Sequence, residues 1–146
     1  MTEDTQYDDF VKRIEEKYPK MFSKRYGGIA VGEGWWPIIE SLCANIQSRI
    51  DWWNKNHEKH PVIEQVVVEQ IKEKFGGLRF YYQGGDDEIS GMVRMAEAWA
   101  SHTCETCGAP GKSREGGWIR TLCDKHEEER QESLRAREMK MSGFEE

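Results

Sequence analysis

Two short motifs constrain the fold of this chain more than any other feature: Cys104-Glu-Thr-Cys107 and, after fifteen intervening residues, Cys123-Asp-Lys-His126. Four soft ligands at this spacing predict a tetrahedral Zn²⁺ site, because each pair can reach one ion from a single tight turn. Four protein ligands leave no open coordination position for a reacting water. We therefore expect a structural zinc ion rather than a catalytic one.

The predicted order of elements around these ligands resembles a treble-clef finger over roughly residues 101 to 135. Gly108 follows the first pair where a metal knuckle turns back, Gly116-Gly117 fits the tip of a hairpin, and a helix-favouring run begins at Asp124. Nucleases of the HNH type share this frame but need a histidine base on the hairpin. The segment 112–122 contains no histidine, so we expect a finger without nuclease activity.

Cysteine usage indicates a reducing compartment. Nothing that looks like a signal peptide precedes Tyr7, and no apolar run approaches the roughly 20 residues of a membrane span. We therefore expect a cytoplasmic protein, in which thiols bind zinc rather than form disulfides.

The remainder of the 146-residue chain is long enough for one compact domain. Apolar periodicity predicts helices near residues 10–18, 35–54 and 86–100, and the acidic first nine residues are expected to fray. The predicted fold is α+β: helices packed on a β-hairpin or small antiparallel sheet, followed by the finger. We divide it into a core domain, 1–102, and a zinc finger with a charged C-terminal helix, 103–146, packed on that core.

The segment 62–75 is compatible with a helix or a strand, but three consecutive valines and the aromatic run after it favour a hairpin. With Gly76-Gly77 as a two-residue turn, Phe75 would face Leu78 on the core side. Lys74 would face Arg79 on the other side of the hairpin.

That other side of the predicted hairpin carries Lys72, Lys74, Arg79 and Tyr81. A planar guanidinium, two ammonium groups and an aromatic ring suit a phosphate or nucleotide ligand. The alternative is an ordinary solvated sheet face whose charges pair with Glu69, Glu88 or the acidic termini.

A net charge of −6 opposes non-specific binding to nucleic acid. A nucleic-acid-binding finger nevertheless stays open as an alternative function. Its candidate contacts on the finger hairpin are Lys112, Arg114, Trp118 and Arg120. The sequence offers no nucleophile with a nearby base and no open metal position, so we do not expect an enzyme.

Three strings resemble a group of small proteins encoded by tailed bacteriophages and prophages, over roughly residues 18 to 126. They are Lys74-Phe-Gly-Gly-Leu-Arg-Phe-Tyr81, Gly32-Glu-Gly-Trp-Trp-Pro37, and the zinc ligands with Gly117-Trp-Ile-Arg-Thr-Leu122. The resemblance implies an accessory protein of the host cytoplasm that counters host defence, either by sequestering a nucleotide messenger or by blocking a host protein. It also adds Trp35, Trp36 and the two glycines of Gly76-Gly77 to the candidate ligand site around Arg79.

Overall fold

The computed structural model describes residues 2–23, 25–56 and 58–143, with side chains from Thr5 onward. Within these residues the fold is α+β, as predicted, with four α-helices and two small sheets. The helices are α1 (Thr2–Lys17), α2 (Trp36–Asn54), α3 (Asp87–Ala100) and α4 (Asp124–Gly143). The strands are β1 (Ile29–Ala30), β2 (Val67–Lys74), β3 (Gly77–Gln83), β4 (Lys112–Arg114) and β5 (Arg120–Leu122). None of the helices in the described ranges is long and apolar enough to cross a membrane.

The first sheet has the order β1-β2-β3 and is mixed rather than purely antiparallel. β2 and β3 form the predicted hairpin, and the two-residue β1 joins β2 in parallel through Ile29 opposite Ile71. Helices α1, α2 and α3 contribute to one buried cluster with this sheet. The cluster includes Phe10, Ile14, Ile39, Ile46, Ile71, Leu78, Phe80, Ile89 and Val93.

Helix α1 begins earlier than expected. Residues 1–9 were predicted to fray, yet α1 extends back to Thr2. Tyr7 explains part of the difference, because its hydroxyl donates to the Ile29 carbonyl and its ring lies 6.4 Å from that of Trp36. A tertiary tether of this kind is not visible in local composition.

The hairpin turn lies one residue earlier than predicted, which shifts the cross-strand pairing by two residues. Lys74 pairs with Gly77, and Lys72, not Lys74, lies opposite Arg79. The turn is therefore Phe75-Gly76, with φ values of +52° and +79°, as a type I′ turn requires at both central positions. Phe75 is 72 % exposed at the tip and does not face the core.

Phe75 occupies a backbone region that bulky residues rarely adopt, at a cost of roughly 1–3 kcal/mol. Asparagine tolerates this region and Asn-Gly is a favoured type I′ pair. We expect Phe75→Asn to raise the free energy of unfolding by about 1 kcal/mol. Urea denaturation would measure it. A loss of stability would show that the exposed ring packs on the protein in solution.

Candidate metal centre and cationic surfaces

The four predicted zinc ligands come together from two elements of the finger. Cys104 and Cys107 bracket a tight knuckle, closed by hydrogen bonds from the Cys104 amide to the Ala109 carbonyl and from the Gly108 amide to the Cys104 carbonyl. Gly108, with φ of +86°, makes the return turn. After the β4–β5 hairpin, Cys123 immediately precedes α4 and His126 lies in its first turn. Knuckle, hairpin and helix start thus follow the predicted treble-clef-like order.

The ligand atoms have the spacing that one tetrahedral metal ion requires. All four lie within 4.8 Å of one another. The Cys107 and Cys123 sulfurs are 3.8 Å apart, and the His126 Nδ1 lies 3.7 Å from the Cys104 sulfur and 3.2 Å from the Cys123 sulfur. Bond lengths of about 2.3 Å to sulfur and 2.0–2.1 Å to nitrogen place tetrahedral ligands roughly 3.5–3.8 Å apart. Three thiols and an imidazole at these distances fit zinc.

The electrostatics of the cluster favour a bound cation. Burial raises the pKa of the Cys104 thiol, but backbone amides at Cys123, Cys107 and Thr106 outweigh it and lower the pKa to about 6. The Ala109 amide lowers the pKa of Cys107, yet burial and the neighbouring thiols raise it on balance. Thiolate is the metal-binding form. A divalent cation would let all three sulfurs stay deprotonated together.

Arg114 joins the finger hairpin to the start of α4. Its Nη2 lies 2.7 Å from an Asp124 carboxylate oxygen and its Nε donates to the Leu122 carbonyl at 3.1 Å. The Arg114 guanidinium accordingly lowers the pKa of Asp124. Arg114 was a candidate nucleic-acid contact, and the structure gives it this internal role.

The segment Gly32–Trp35 docks the core onto the knuckle formed by Cys104 and Cys107. The Gly34 amide donates to the Glu105 carbonyl at 2.7 Å, the Gly32 amide donates to the Glu105 carboxylate at 2.9 Å, and the Trp35 indole donates to the Thr103 carbonyl at 2.8 Å. Burial raises the pKa of Glu105, and the Gly32 amide acts against that rise. The metal centre is therefore tied directly to the start of α2.

The tip of the core hairpin makes a second contact with the finger. The Thr121 hydroxyl donates to the Gly76 carbonyl at 2.6 Å, and both residues are buried. A β-carbon at Gly76 would lie 3.2 Å from the Ile119 side chain. Gly34 and Gly76 thus both lie where the core meets the finger.

The two tryptophans of the candidate ligand site pack with core residues. Trp35 is fully buried in the core and offers no surface to a ligand. Trp36 is half-buried and stacks on Phe10, with ring centres 4.7 Å apart and planes 4° from parallel. Their short-range neighbours are core residues, so we attribute both to folding.

The predicted charged residues of the hairpin do share a face of the sheet. Lys72 lies opposite Arg79, and Tyr81 lies opposite Gln70 on the same side. We call Lys72, Lys74, Arg79 and Tyr81 the cationic face. In the described part of the chain, none of its three cations forms an ion pair.

Two of the acids proposed as compensating partners, Glu69 and Glu88, are engaged elsewhere. The Glu69 carboxylate accepts a hydrogen bond from Gln83 at 3.0 Å, and Glu88 pairs with Arg49 at 2.9 Å. The acidic side chains at positions 3, 4, 145 and 146 lie outside the described residues. A like-charge pair directly across two strands is destabilising. The cationic face therefore carries repulsion that these two acids do not relieve.

A second cationic surface lies between the tip of the finger hairpin and α4. It is a groove of about 440 Å³, which we call the finger groove. Its lining residues are Gly116, Gly117, Trp118, Arg120, Arg130, Gln131, Ser133, Leu134 and Arg137. Sequence analysis named Trp118 and Arg120 but missed Arg130 and Arg137. Their spacing of seven residues, two helical turns on one face, is the signal that identifies them.

Comparison with protein-family models, with curated proteins and with solved structures finds no match to this chain.

Proposed function

We propose that this is a non-catalytic binding protein, stabilised by a structural zinc ion, whose cationic face binds an acidic partner. The observation that carries the proposal is the cross-strand pair Lys72 and Arg79, with Lys74 and Tyr81 beside it and no ion pair among the described residues. Such a charge cluster costs stability in the free protein. An anionic partner would remove that cost on binding.

The exposed aromatic at the hairpin tip supports the same role. Phe75 is 72 % exposed in a strained backbone conformation, and the Lys74 ammonium lies 5.8 Å from its ring centre. Strained residues that folding does not require are concentrated at binding sites. An exposed aromatic ring beside a lysine ammonium is also suited to an interface contact, since aromatic residues are enriched at interfaces.

The shape of the surface favours a protein partner over a small molecule. Small ligands usually bind in concave, mostly apolar cavities, whereas the cationic face is one side of a hairpin with Tyr81 41 % exposed. An acidic protein surface can lie across such a face and gain on-rate from charge complementarity. The resemblance to phage proteins suggests a host protein of the bacterial cytoplasm, bound so as to counter host defence.

A non-catalytic role agrees with the metal centre. Three cysteines and one histidine would occupy all four positions around zinc. The ion would then hold the finger against the core and leave recognition to the surface residues.

The test is charge reversal on the cationic face. We expect Lys72→Glu with Arg79→Glu to weaken partner binding at least tenfold, about 1.4 kcal/mol, because attraction becomes repulsion. Tagged protein would be purified from bacterial cells, co-purifying proteins quantified by mass spectrometry, and the main partner titrated calorimetrically at two salt concentrations. Native mass spectrometry with a nucleotide panel would identify a small anionic ligand.

The matched control is Lys20→Glu with Lys59→Glu, which changes the net charge equally at two exposed positions outside the hairpin strands. This variant should keep the partner, and both variants should hold one zinc ion. Equal partner recovery by both variants would overturn the proposal. A nucleotide retained by the wild type and lost from the hairpin variant would replace the protein partner with a small ligand.

A further inference from the structure

Trp118 has a placement that the folding of the finger does not explain. It is 70 % exposed and lies at the hairpin tip, between Gly117 and the short strand β5. Single exposed aromatic rings are common on proteins, so the neighbours of Trp118 decide whether it belongs to a contact surface.

The backbone around Trp118 is held in place by Arg130 of α4. Arg130 donates through Nη1 to the Trp118 carbonyl at 2.7 Å and through Nη2 to the Glu115 carbonyl at 3.2 Å. Its Nε lies 2.9 Å from a Glu127 carboxylate oxygen, and the side chain is only 15 % exposed. The tip is therefore fixed against the helix while the indole ring stays free, which reduces the entropy lost on binding.

Two further guanidinium groups line the same groove, and none of the lining residues that the structure describes is acidic. Arg120 and Arg137 line it from β5 and α4, and neither forms an ion pair among the described residues. Gln131 and Ser133 add neutral hydrogen-bonding groups, and Leu134 is a partly exposed apolar contact. On a chain with a net charge of −6, this is a local reversal of charge.

We propose that the finger groove binds single-stranded nucleic acid, with one base stacked on Trp118 and neighbouring phosphates on Arg120 and Arg137. Aromatic side chains beside a cationic groove are the general means by which proteins hold single strands, since every base has a face that can stack. Guanidinium groups bind phosphate through paired N–H donors. The groove offers few groups that could read base edges, so binding should tolerate many sequences. This site is distinct from the cationic face and does not depend on the function proposed for it.

A single strand suits the site better than a free nucleotide. One stacked base supplies roughly 1–3 kcal/mol, a gain of about 5- to 150-fold in affinity. A strand adds phosphates on both sides of that base, and Arg120 and Arg137, which form no ion pair among the described residues, are available for them. Duplex DNA does not fit this mode, because its bases are not free to stack on a side chain.

The experiment is fluorescence anisotropy with labelled (dT)12 and (rU)12 at 50 to 200 mM salt, using the full chain with its zinc. We expect Trp118→Ala to weaken binding about tenfold with an unchanged salt slope. Arg137→Glu should weaken binding at least tenfold and reduce the salt slope by about 1.

The chain offers close controls for both variants. Trp52 is 64 % exposed at the far end of α2, and Arg135 is exposed two residues before Arg137 on another face of α4. Trp52→Ala and Arg135→Glu should bind within twofold of wild type. All four variants should keep their zinc and melting temperature.

Three results would overturn the proposal. The first is that neither oligonucleotide binds at 50 mM salt, and the second is that the Trp118→Ala and Trp52→Ala variants bind equally well. The third is that a mononucleotide displaces the strand completely at the same molar concentration. The last result would assign the groove to a free nucleotide. If binding were lost only in the double variant Lys72→Glu with Arg79→Glu, the strand would be assigned to the cationic face instead.

Discussion

Replacing Cys104 by serine is expected to abolish stoichiometric zinc binding and unfold residues 103–143 as a unit. Cys104 is fully buried within the ligand cluster, and although burial raises the pKa of its thiol, neighbouring backbone amides lower that pKa on balance, which favours the metal-binding thiolate. Structural zinc contributes about 10–16 kcal/mol of apparent binding free energy in finger peptides. The apolar cluster of the finger contains little besides Leu122, so it cannot replace that contribution.

Metal content measured by inductively coupled plasma mass spectrometry, together with circular dichroism, would test this expectation. The control is Cys43→Ala, which removes the thiol of α2. Burial, with a smaller effect of Glu40, raises the pKa of Cys43 to about 12, and it is not part of the ligand cluster. That variant should lose stability yet keep one zinc ion per chain. A Cys104→Ser protein that retains one zinc ion and its helix content would contradict the assigned ligand set.

The effect of metal loss should extend beyond the finger. Trp35 is the largest fully buried side chain, and its indole donates to the Thr103 carbonyl next to the first ligand. When the knuckle unfolds, this N–H loses its partner inside the core, at a cost of about 1–3 kcal/mol. Chelation should therefore broaden amide signals at the start of α2 as well as those of the finger.

The sequence predicts the zinc ligands well because their chemistry is local. Each pair is separated by two residues, so a single turn determines whether both atoms reach one ion. Helix α2 and the existence of the hairpin are also predictable, since periodicity and β-branched runs act over a few residues. The same reasoning gives the finger its order of knuckle, hairpin and helix.

The hairpin register could not be predicted from the residues near the turn. Gly76-Gly77 and Phe75-Gly76 are both possible two-residue turns, and glycine content favours the first. The structure uses the second, with Gly77 paired to Lys74 and Gly76 packed against the finger. This turn brings Gly76 into contact with the finger hairpin, some forty residues later in the chain. No sequence pattern near the turn predicts that contact.

The contact between Gly34 and Glu105 likewise cannot be predicted from sequence patterns. A Gly-x-Gly-Trp string is compatible with a turn, a ligand loop or a docking surface. Only the folded chain shows that these glycines lie against the metal knuckle. The arginines of the finger groove were missed for a related reason, because a charged helix without an apolar stripe gives no indication of which face meets the hairpin.

Gly34→Ala is expected to separate the finger from the core without removing the metal. A β-carbon at Gly34 would overlap the Cys104 carbonyl oxygen and lie 2.5 Å from the Gly108 nitrogen and 2.7 Å from the Glu105 carbonyl oxygen. All three obstacles are backbone atoms of the zinc knuckle, which cannot move without distorting the site. Overpacking of this kind costs about 3 kcal/mol or more, and the hydrogen bond from the Gly34 amide is lost with it.

Since about 1 kcal/mol shifts the melting temperature by roughly 2–4 °C in a chain of this size, we expect a fall of about 6–12 °C by calorimetry. The matched control is Gly91→Ala in the middle of α3, where a β-carbon would meet nothing within 4 Å. Alanine is the better helix former by about 1 kcal/mol, so this variant should melt roughly 2–4 °C higher. Zinc content separates the possible causes of instability. A Gly34→Ala protein that keeps its zinc but has a lower melting temperature has lost the docking contact. A melting temperature equal to that of the wild type would show that the knuckle does not pack tightly against Gly34.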